Sequence, residues 1–276
     1  MKFFAFVLST IISFSNYANS DSSRLDNNQI WIVKSLMQDQ ARIWTSPLCM
    51  KKKDVLITLP IIAATTAAII YDEEIYSEFK TFQRKHHFVD DITPIITYMG
   101  DDKTSLSVST LFLASGLVFK NEKAKRTAYF GYQTFIHSGI VIQVMKHLAS
   151  RQRPSVNNGT DKWNGPLAMF KRYTQSFSPY DAFPSGHTIM AWGMATVIAR
   201  QYSEHKWVPV NCYTLATVAC LSRVTEDTHW FSDVIVGGSL GYAIGRFVTK
   251  KHQNTNWQLF PSFGKNNGTA SLIFSF

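Results

Sequence analysis

The 276-residue sequence contains few cysteines, few charged residues and little glycine or proline. Three cysteines exclude a disulfide scaffold, and no paired Cys/His spacing indicates a structural zinc site. Nine prolines and 14 glycines exclude collagen-like and low-complexity architectures. Because only 17% of the residues are charged while 45% are hydrophobic, the chain is expected to fold around a sizeable core rather than to be disordered.

Negative charge is also scarce, and the net charge of +9 indicates an anionic partner: nucleic acid, a membrane surface or a phosphorylated substrate. The N-terminus predicts export, because Lys2 precedes the apolar stretch Phe3–Phe14 and Ala18-Asn19-Ser20 has the small-x-small pattern of a cleavage site. Residues 1–20 are therefore predicted to be a cleaved signal peptide. A retained membrane helix is the alternative, although the stretch is shorter than the usual span of about 20 residues. Export argues against nucleic acid as the partner.

Apolar stretches of helical length predict an all-α fold with a compact pack of about six core helices. An amphipathic helix is predicted over 28–44. The six apolar helices are predicted over 55–71, 104–119, 127–145, 188–199, 208–222 and 234–245. Residues 72–103 and 155–184 are predicted to be loops.

The tail differs from the rest of the chain. Asn266-Asn267-Gly268 lies between two partly apolar segments and predicts a short C-terminal β-hairpin. The predicted organisation is a signal peptide at 1–20, an amphipathic N-terminal segment at 21–54, a helical domain at 55–250 and a tail at 251–276.

The charge pattern favours membrane association. If the helix from Val55 starts inside, the clusters Lys51–Lys53, Lys123–Arg126 and Lys250-Lys251 all fall inside, as the positive-inside rule prefers. The apolar helices are nevertheless short of the usual span of about 20 residues, and a cleaved signal peptide would reverse this layout. Membrane association is predicted, while spanning, peripheral and soluble arrangements remain open.

Three clusters of polar residues lie at predicted helix ends. An antiparallel pack would bring these ends to one face, where the cations Lys146, Arg153 and Arg223 converge. Arginine offers a planar fork of donors that fits phosphate oxygens. Ser185 and Gly186 begin a helix, where free N–H groups and the helix dipole favour an anion. This pattern predicts a binding site for a tetrahedral oxyanion.

Two histidines and a carboxylate add catalytic groups to this site. If the local chain is helical, His229 and Asp233 share one face, and the carboxylate accepts one ring N–H while the other nitrogen attacks. His187 is then available to protonate a leaving oxygen. Each residue also has a structural interpretation: Ser185 and Asp233 as helix caps, and Lys146 and Arg153 as solvated helix-end charges.

The three motifs together resemble the type 2 phosphatidic acid phosphatase superfamily, which includes bacterial acid phosphatases and vanadium haloperoxidases. They are Lys-x6-Arg-Pro from Lys146, Pro-Ser-Gly-His from Pro184, and Ser-Arg-x5-His-x3-Asp from Ser222. The resemblance covers roughly residues 55–249. It implies that the cations hold phosphate with Ser185 and Gly186. It also implies a phosphohistidine on His229, orientation by Asp233, a general acid in His187, and no metal or other cofactor.

The resemblance leaves several functions open. The first is an envelope phosphatase with its site on the periplasmic side, acting on phosphatidate, phosphatidylglycerophosphate, a polyprenyl diphosphate or the lipid of lipopolysaccharide. The others are a soluble periplasmic phosphatase for small esters, a vanadium-dependent haloperoxidase and a non-enzymatic envelope protein. Four aromatic residues of the 155–184 loop would either contact a lipid chain or fold the loop on itself: Trp163, Phe170, Tyr173 and Phe177.

Overall fold

The computed structural model describes residues 25–156, 163–166, 179–251, 256–263 and 268–275. The predicted signal peptide and the loop residues Phe170, Tyr173 and Phe177 lie outside this described part. The chain divides into two units, Met1–Lys53 and Asp54–Phe276. The first contains helix α1, Leu25–Thr45, and a 3-10 turn, Ser46–Cys49. Helix α1 therefore contains the predicted amphipathic segment 28–44.

The second unit is helical apart from its C-terminal end, and the all-α prediction is confirmed. Its described helices are α2 (Lys52–Ile70), α3 (Asp72–Lys85), α4 (Phe88–Thr97), α5 (Asp102–Val118), α6 (Glu122–Ala149), α7 (Gly186–Gln201), α8 (Trp207–Thr225) and α9 (Phe231–Lys251). Two further 3-10 turns are Tyr98–Gly100 and Pro154–Val156.

The prediction of a loop over 72–103 is wrong, because α3 and α4 occupy most of it. Several acidic residues of this segment lie in first helical turns, for example Asp72 in α3 and Asp90 in α4. A carboxylate there is favoured by the helix dipole, and α3 ends on the basic pair Arg84 and Lys85 for the complementary reason. Acidic residues at these positions therefore begin helices.

Helices α7 and α9 pack closely because glycines line their contact. A Cβ atom on Gly241 would lie 2.5 Å from the carbonyl oxygen of Ile189, and one on Gly245 would lie 2.7 Å from that of Gly193. Gly237 makes the same approach to the carbonyl oxygen of Ser185, at 2.8 Å. The four-residue spacing places these glycines on one face of α9. Their packing brings the N-terminal ends of both helices together.

Helix α2 exposes apolar side chains along most of its length. Leu56, Ile57 and Leu59 are exposed, and only 6% of the most apolar 18-residue stretch of the helix is buried. In the described part of the chain, α2 alone is long and apolar enough to cross a membrane by length and composition.

The described tail contains the predicted β-hairpin. Strand β1, Asn256–Phe263, pairs antiparallel with β2, Gly268–Ser275. Trp257 is opposite Phe274, and Phe263 is opposite Gly268 at the closed end.

Candidate active site

Four helix ends meet at one end of the second unit: the C-terminal ends of α6 and α8 and the N-terminal ends of α7 and α9. Backbone hydrogen bonds join them. The N–H of Ser185 donates to the carbonyl of Asp233 at 3.2 Å, and the N–H of His229 donates to the carbonyl of Arg223, also at 3.2 Å. The three sequence clusters are therefore close together, as an antiparallel arrangement requires.

Lys146 and Arg153 share one carboxylate, that of Asp181. Lys146 Nζ lies 3.2 Å from Asp181 Oδ2, and Arg153 Nε lies 2.6 Å from Oδ1. Burial alone would raise the pKa of Asp181, but the charges of Lys146 and Arg153 hold it below its usual range. Asp181 was not predicted from the sequence, although its position four residues before Ser185 places it beside a motif.

Arg223 is buried at the end of α8 and is paired with a carboxylate of its own. Its Nη1 donates to Glu226 Oε2 at 2.5 Å, and Thr97 donates to the other oxygen of Glu226 at 2.7 Å. Burial lowers the pKa of Arg223. Its Nε is also buried, and it has no hydrogen-bond partner in the described part of the chain. This N–H group is thus a donor that an anion could satisfy.

Ser185 caps helix α7, which is the structural role that the sequence predicted as an alternative to phosphate binding. Its hydroxyl oxygen accepts hydrogen bonds from the Thr188 hydroxyl at 2.9 Å and from the Thr188 N–H at 3.4 Å. Next to it, a Cβ atom on Gly186 would lie 4.0 Å from Lys146 Nζ. The first turn of α7 is therefore beside the lysine, and the cap role leaves the hydroxyl hydrogen of Ser185 available for another acceptor.

His229 is buried, and its ring is oriented by a backbone carbonyl. Nδ1 lies 2.6 Å from the carbonyl oxygen of Ala182 and 3.9 Å from Asp233 Oδ2. The predicted hydrogen bond from the His229 ring to Asp233 is therefore absent, because His229 precedes α9 instead of lying on its helical face. A carbonyl oxygen only accepts, so Nδ1 carries the hydrogen and the lone pair of Nε2 is available.

Asp233 is buried in the first turn of α9. It accepts hydrogen bonds from the Trp230 N–H at 2.8 Å and from Arg151 at 2.5 Å. Burial raises its pKa to about 6, although Arg151 and the Trp230 hydrogen bond favour the ionised form. Asp233 therefore caps the start of α9 while its carboxylate remains within electrostatic range of the His229 ring.

Both histidines favour the neutral state in this structure. Burial, followed by the charge of Arg223, lowers the pKa of His187 to about 3. Burial and the charges of Lys146, Arg153 and Arg223 lower the pKa of His229 well below its usual value. A buried neutral imidazole at residue 229 is a competent nucleophile at neutral pH.

Two further buried residues lie behind Asp233, and the sequence analysis missed both. Arg151 is an interior residue of the Lys-x6-Arg spacing, and Asp72 begins the segment 72–103 that was predicted to be a loop. The two side chains are fully buried and 2.6 Å apart. Trp163 contacts Arg151, with the guanidinium carbon 4.6 Å from the ring centroid, and also contacts Phe183. Trp163 therefore contacts Phe183 of its own loop, which agrees with the alternative in which the loop folds on itself.

Acidic, histidine and cysteine side chains do not form a metal-binding cluster within the described residues; no group of three could hold an ion. The carboxylates at the site are paired with cations: Asp181 with Lys146 and Arg153, and Glu226 with Arg223.

Sequence comparisons show what parts of the chain are similar to. Residues 128–257 match the family model described as PAP2 superfamily. A lipid A 1-phosphatase from Porphyromonas gingivalis is 35% identical over 41% of this chain and 26% of its own length. An acid phosphatase from Zymomonas mobilis is 31% identical over 32% of this chain and 30% of its own length. The chain therefore matches less than a third of each of these relatives.

A solved structure shares the fold. It is the crystal structure of a transmembrane PAP2-type phosphatidylglycerolphosphate phosphatase from Bacillus subtilis. The TM-score is 0.54 at 22% sequence identity, and the match covers 72% of this chain and 93% of the other. The chain is thus similar to the PAP2 superfamily over residues 128–257, slightly less than half of its length.

Proposed function

We propose that the chain is a metal-independent phosphatase that hydrolyses a lipid phosphate monoester or diphosphate through a phosphohistidine on His229. One observation carries the proposal: the Ala182 carbonyl fixes the hydrogen of His229 on Nδ1, which leaves Nε2 as a nucleophile beside three cations. The predicted phosphate ligands are Lys146, Arg153, Ser185, Gly186 and Arg223, and the predicted catalytic residues are His229, His187 and Asp233.

In the first half-reaction, Nε2 of His229 attacks phosphorus. A P–N bond forms while the P–O bond to the leaving group breaks, and His187 donates a proton to the departing oxygen. The charge of Asp233, 3.9 Å from Nδ1, stabilises the positive charge that develops on the imidazole. In the second half-reaction, water attacks phosphorus, His187 accepts a proton from it, and the P–N electron pair returns to Nε2.

The general acid role of His187 depends on bound phosphate. Its pKa of about 3 is set by burial and by Arg223, so it is neutral in the phosphate-free site near pH 7. A phosphate dianion beside Arg223 and Lys146 offsets those positive charges, and nearby negative charge raises the pKa of an imidazole. Substrate binding thus prepares the acid that its own cleavage requires.

A lipid substrate and a membrane location are supported by separate observations. The lipid A 1-phosphatase relative includes a lipid in its name. Helix α2 presents exposed apolar side chains, including Ile57 and Ile62, that an acyl phase would cover. We propose membrane association in the cell envelope, with the site on the periplasmic side. The acid phosphatase relative supports a second candidate, hydrolysis of small soluble esters.

The test is phosphate release by detergent-extracted protein with chelator present. Phosphatidate, a polyprenyl diphosphate, lipid A and a soluble aryl phosphate are compared in parallel. Chelator-resistant release with a lipid preference is expected. A preference for the aryl phosphate would favour the second candidate, and no release from any substrate by folded protein would contradict both.

Two histidine variants test the mechanism. His229→Ala should abolish release and the covalent retention of radiolabelled phosphate on the protein. His205→Ala, a matched change at an exposed histidine after α7, should leave both unchanged. Release that persists in His229→Ala would show that another group is the nucleophile.

A further inference from the structure

Arg151 is fully buried at the end of α6, between the predicted phosphate ligands in sequence, yet it has no part in the proposed phosphoryl transfer. Its guanidinium donates to Asp233 at 2.5 Å, to the Ser232 hydroxyl at 2.7 Å and to Asp72 at 2.6 Å. The ring of Trp230 lies near the same guanidinium, 5.5 Å from its carbon atom to the centroid. All of its charged contacts are with buried carboxylates.

Asp72 anchors this arginine from a distant part of the chain. It begins α3 and is completely buried, and it also accepts hydrogen bonds from the Ser232 N–H at 3.1 Å and from the Ser232 hydroxyl at 2.5 Å. Asp72 therefore holds both Arg151 and the first turn of α9, which carries Asp233.

Arg151 is connected to the nucleophile by two routes. Through its backbone, the Arg151 carbonyl accepts from the Ala182 N–H at 3.0 Å, and the Ala182 carbonyl accepts from His229 Nδ1. Through its side chain, it binds Asp233, which accepts from the N–H of Trp230, the residue after His229. The two routes fix the ring of His229 from its Nδ1 side and the backbone that carries it.

Burying an arginine with two carboxylates costs desolvation free energy, and well-packed apolar residues of similar volume often stabilise a fold as much or more. A set of buried charges is therefore better explained by the geometry that it imposes on Asp233 and His229. The guanidinium is buried and lies against Trp163 and Trp230, and hydrogen bonds are electrostatically stronger in such a low-dielectric setting.

We propose that Asp72 and Arg151 are positioning residues for catalysis: they hold Asp233 and His229 in the orientation that phosphoryl transfer requires. The proposal rests on the proposed function. The predicted phosphate ligands Lys146, Arg153 and Arg223 are outside this network, so it acts on the chemical step rather than on phosphate binding.

The test compares Asp72→Asn with Glu74→Gln, which makes the same charge change at an exposed residue of the same helical turn. Asp72→Asn is expected to lower kcat about 10- to 100-fold, the usual range for residues that support a primary functional group. Its inhibition constant for inorganic phosphate should stay within about threefold of wild type. Glu74→Gln should match wild type in both measurements.

The pH profile separates positioning through Asp233 from a general loss of structure. The charged groups facing Asp233 are Arg151 and Lys146 from the end of α6 and His229 from its own segment, with Asp72 of α3 behind Arg151. Removing the negative charge of Asp72 should move the acid limb of kcat/KM to lower pH. Removing the positive charge in Arg151→Gln should move it to higher pH.

Opposite shifts of the acid limb with retained phosphate binding are the expected result. An Asp72→Asn variant with wild-type kcat would overturn the proposal. So would a variant that fails to fold or loses kcat and phosphate binding together, because Asp72 would then have only a structural role. Failure of the proposed function is distinct, since it would appear in the wild-type chain as absence of hydrolysis.

Discussion

Asp181 and Arg153 form an ion pair in which the carboxylate lies 2.6 Å from Nε, and the other carboxylate oxygen lies 3.2 Å from Nζ of Lys146. Two of the three cations that we propose for phosphate binding therefore share an internal counterion. The anionic state of Asp181 persists in acid because these cations lower its pKa. Phosphate that enters the site encounters this negative charge beside its proposed ligands.

Asp181→Asn should strengthen phosphate inhibition. The substitution removes one negative charge, while the amide oxygen still accepts from Arg153. The inhibition constant for inorganic phosphate should fall about three- to tenfold, an effect of one nearby charge in a partly buried site. Inhibition assays on Glu204→Gln, an exposed charge change between α7 and α8, provide the control. Weaker inhibition in Asp181→Asn would instead show that its main role is to hold the two cations in place.

Arg223→Lys should weaken substrate binding and turnover. Lysine keeps the charge but loses the planar fork and the buried Nε donor of Arg223. We expect kcat/KM to fall about 10- to 100-fold, equivalent to about 1–3 kcal/mol for a lost charged hydrogen bond. The matched change is Arg200→Lys at the end of α7, where the arginine contacts Thr249. Equal losses in both variants would indicate a general effect of the substitution.

The wild-type kcat/KM should fall on the acid side near pH 6. Burial raises the pKa of Asp233 to about 6, so protonation below that pH removes the charge that stabilises the His229 imidazolium. His229 itself is neutral there, because its pKa is lowered well below its usual value.

The acid limb has to be separated from ionisation of the substrate, since a phosphate monoester has its own pKa near 6. Two aryl phosphates with different second pKa values provide this control. If the acid limb moves with the second pKa of the substrate, the limb reports ionisation of the phosphate rather than of Asp233.

Gly241→Ala should destabilise the fold. A methyl group there would lie 2.5 Å from the Ile189 carbonyl oxygen and 2.9 Å from the Gly193 nitrogen, and neither backbone atom can move without displacing α7. We expect a loss of about 1–3 kcal/mol, as for other overpacked positions, measured as a lower Tm in detergent. Gly139→Ala in α6 meets no atom within 4 Å and should hold or raise Tm. A Tm unchanged in Gly241→Ala would contradict close packing of α7 and α9.

The apolar helices and the clusters were predictable because each depends on local sequence, whereas the polar helices α3 and α4 were not predicted. Apolar stretches define α5 to α9, and motif residues such as Lys146 and Arg223 lie where those helices end. The orientation of His229 was not predictable in this way. Its Nδ1 partner is the backbone carbonyl of Ala182, 47 residues away, and a carbonyl leaves no signal in residue type.

Asp72 and Arg151 were missed for a different reason. Their pairing joins residues 79 apart, and only the folded chain shows that Asp72 is buried. A cluster of acidic residues after an apolar stretch is typical of an exposed loop. In this chain its first member, Asp72, is instead buried and paired with Arg151. The signal that could have found Arg151 was its place in a motif between two other cations.

The glycine contact between α7 and α9 also has a kinetic consequence. Because their backbones are in close contact, α7 and α9 form one packed unit, with His187 in the first turn of α7 and His229 just before α9. The separation between His187 and His229, the proposed acid and nucleophile, is therefore tied to the packing of these two helices. A substitution that separates α7 from α9 should therefore also displace the two histidines relative to each other, so a change far from the site would affect activity as well as stability.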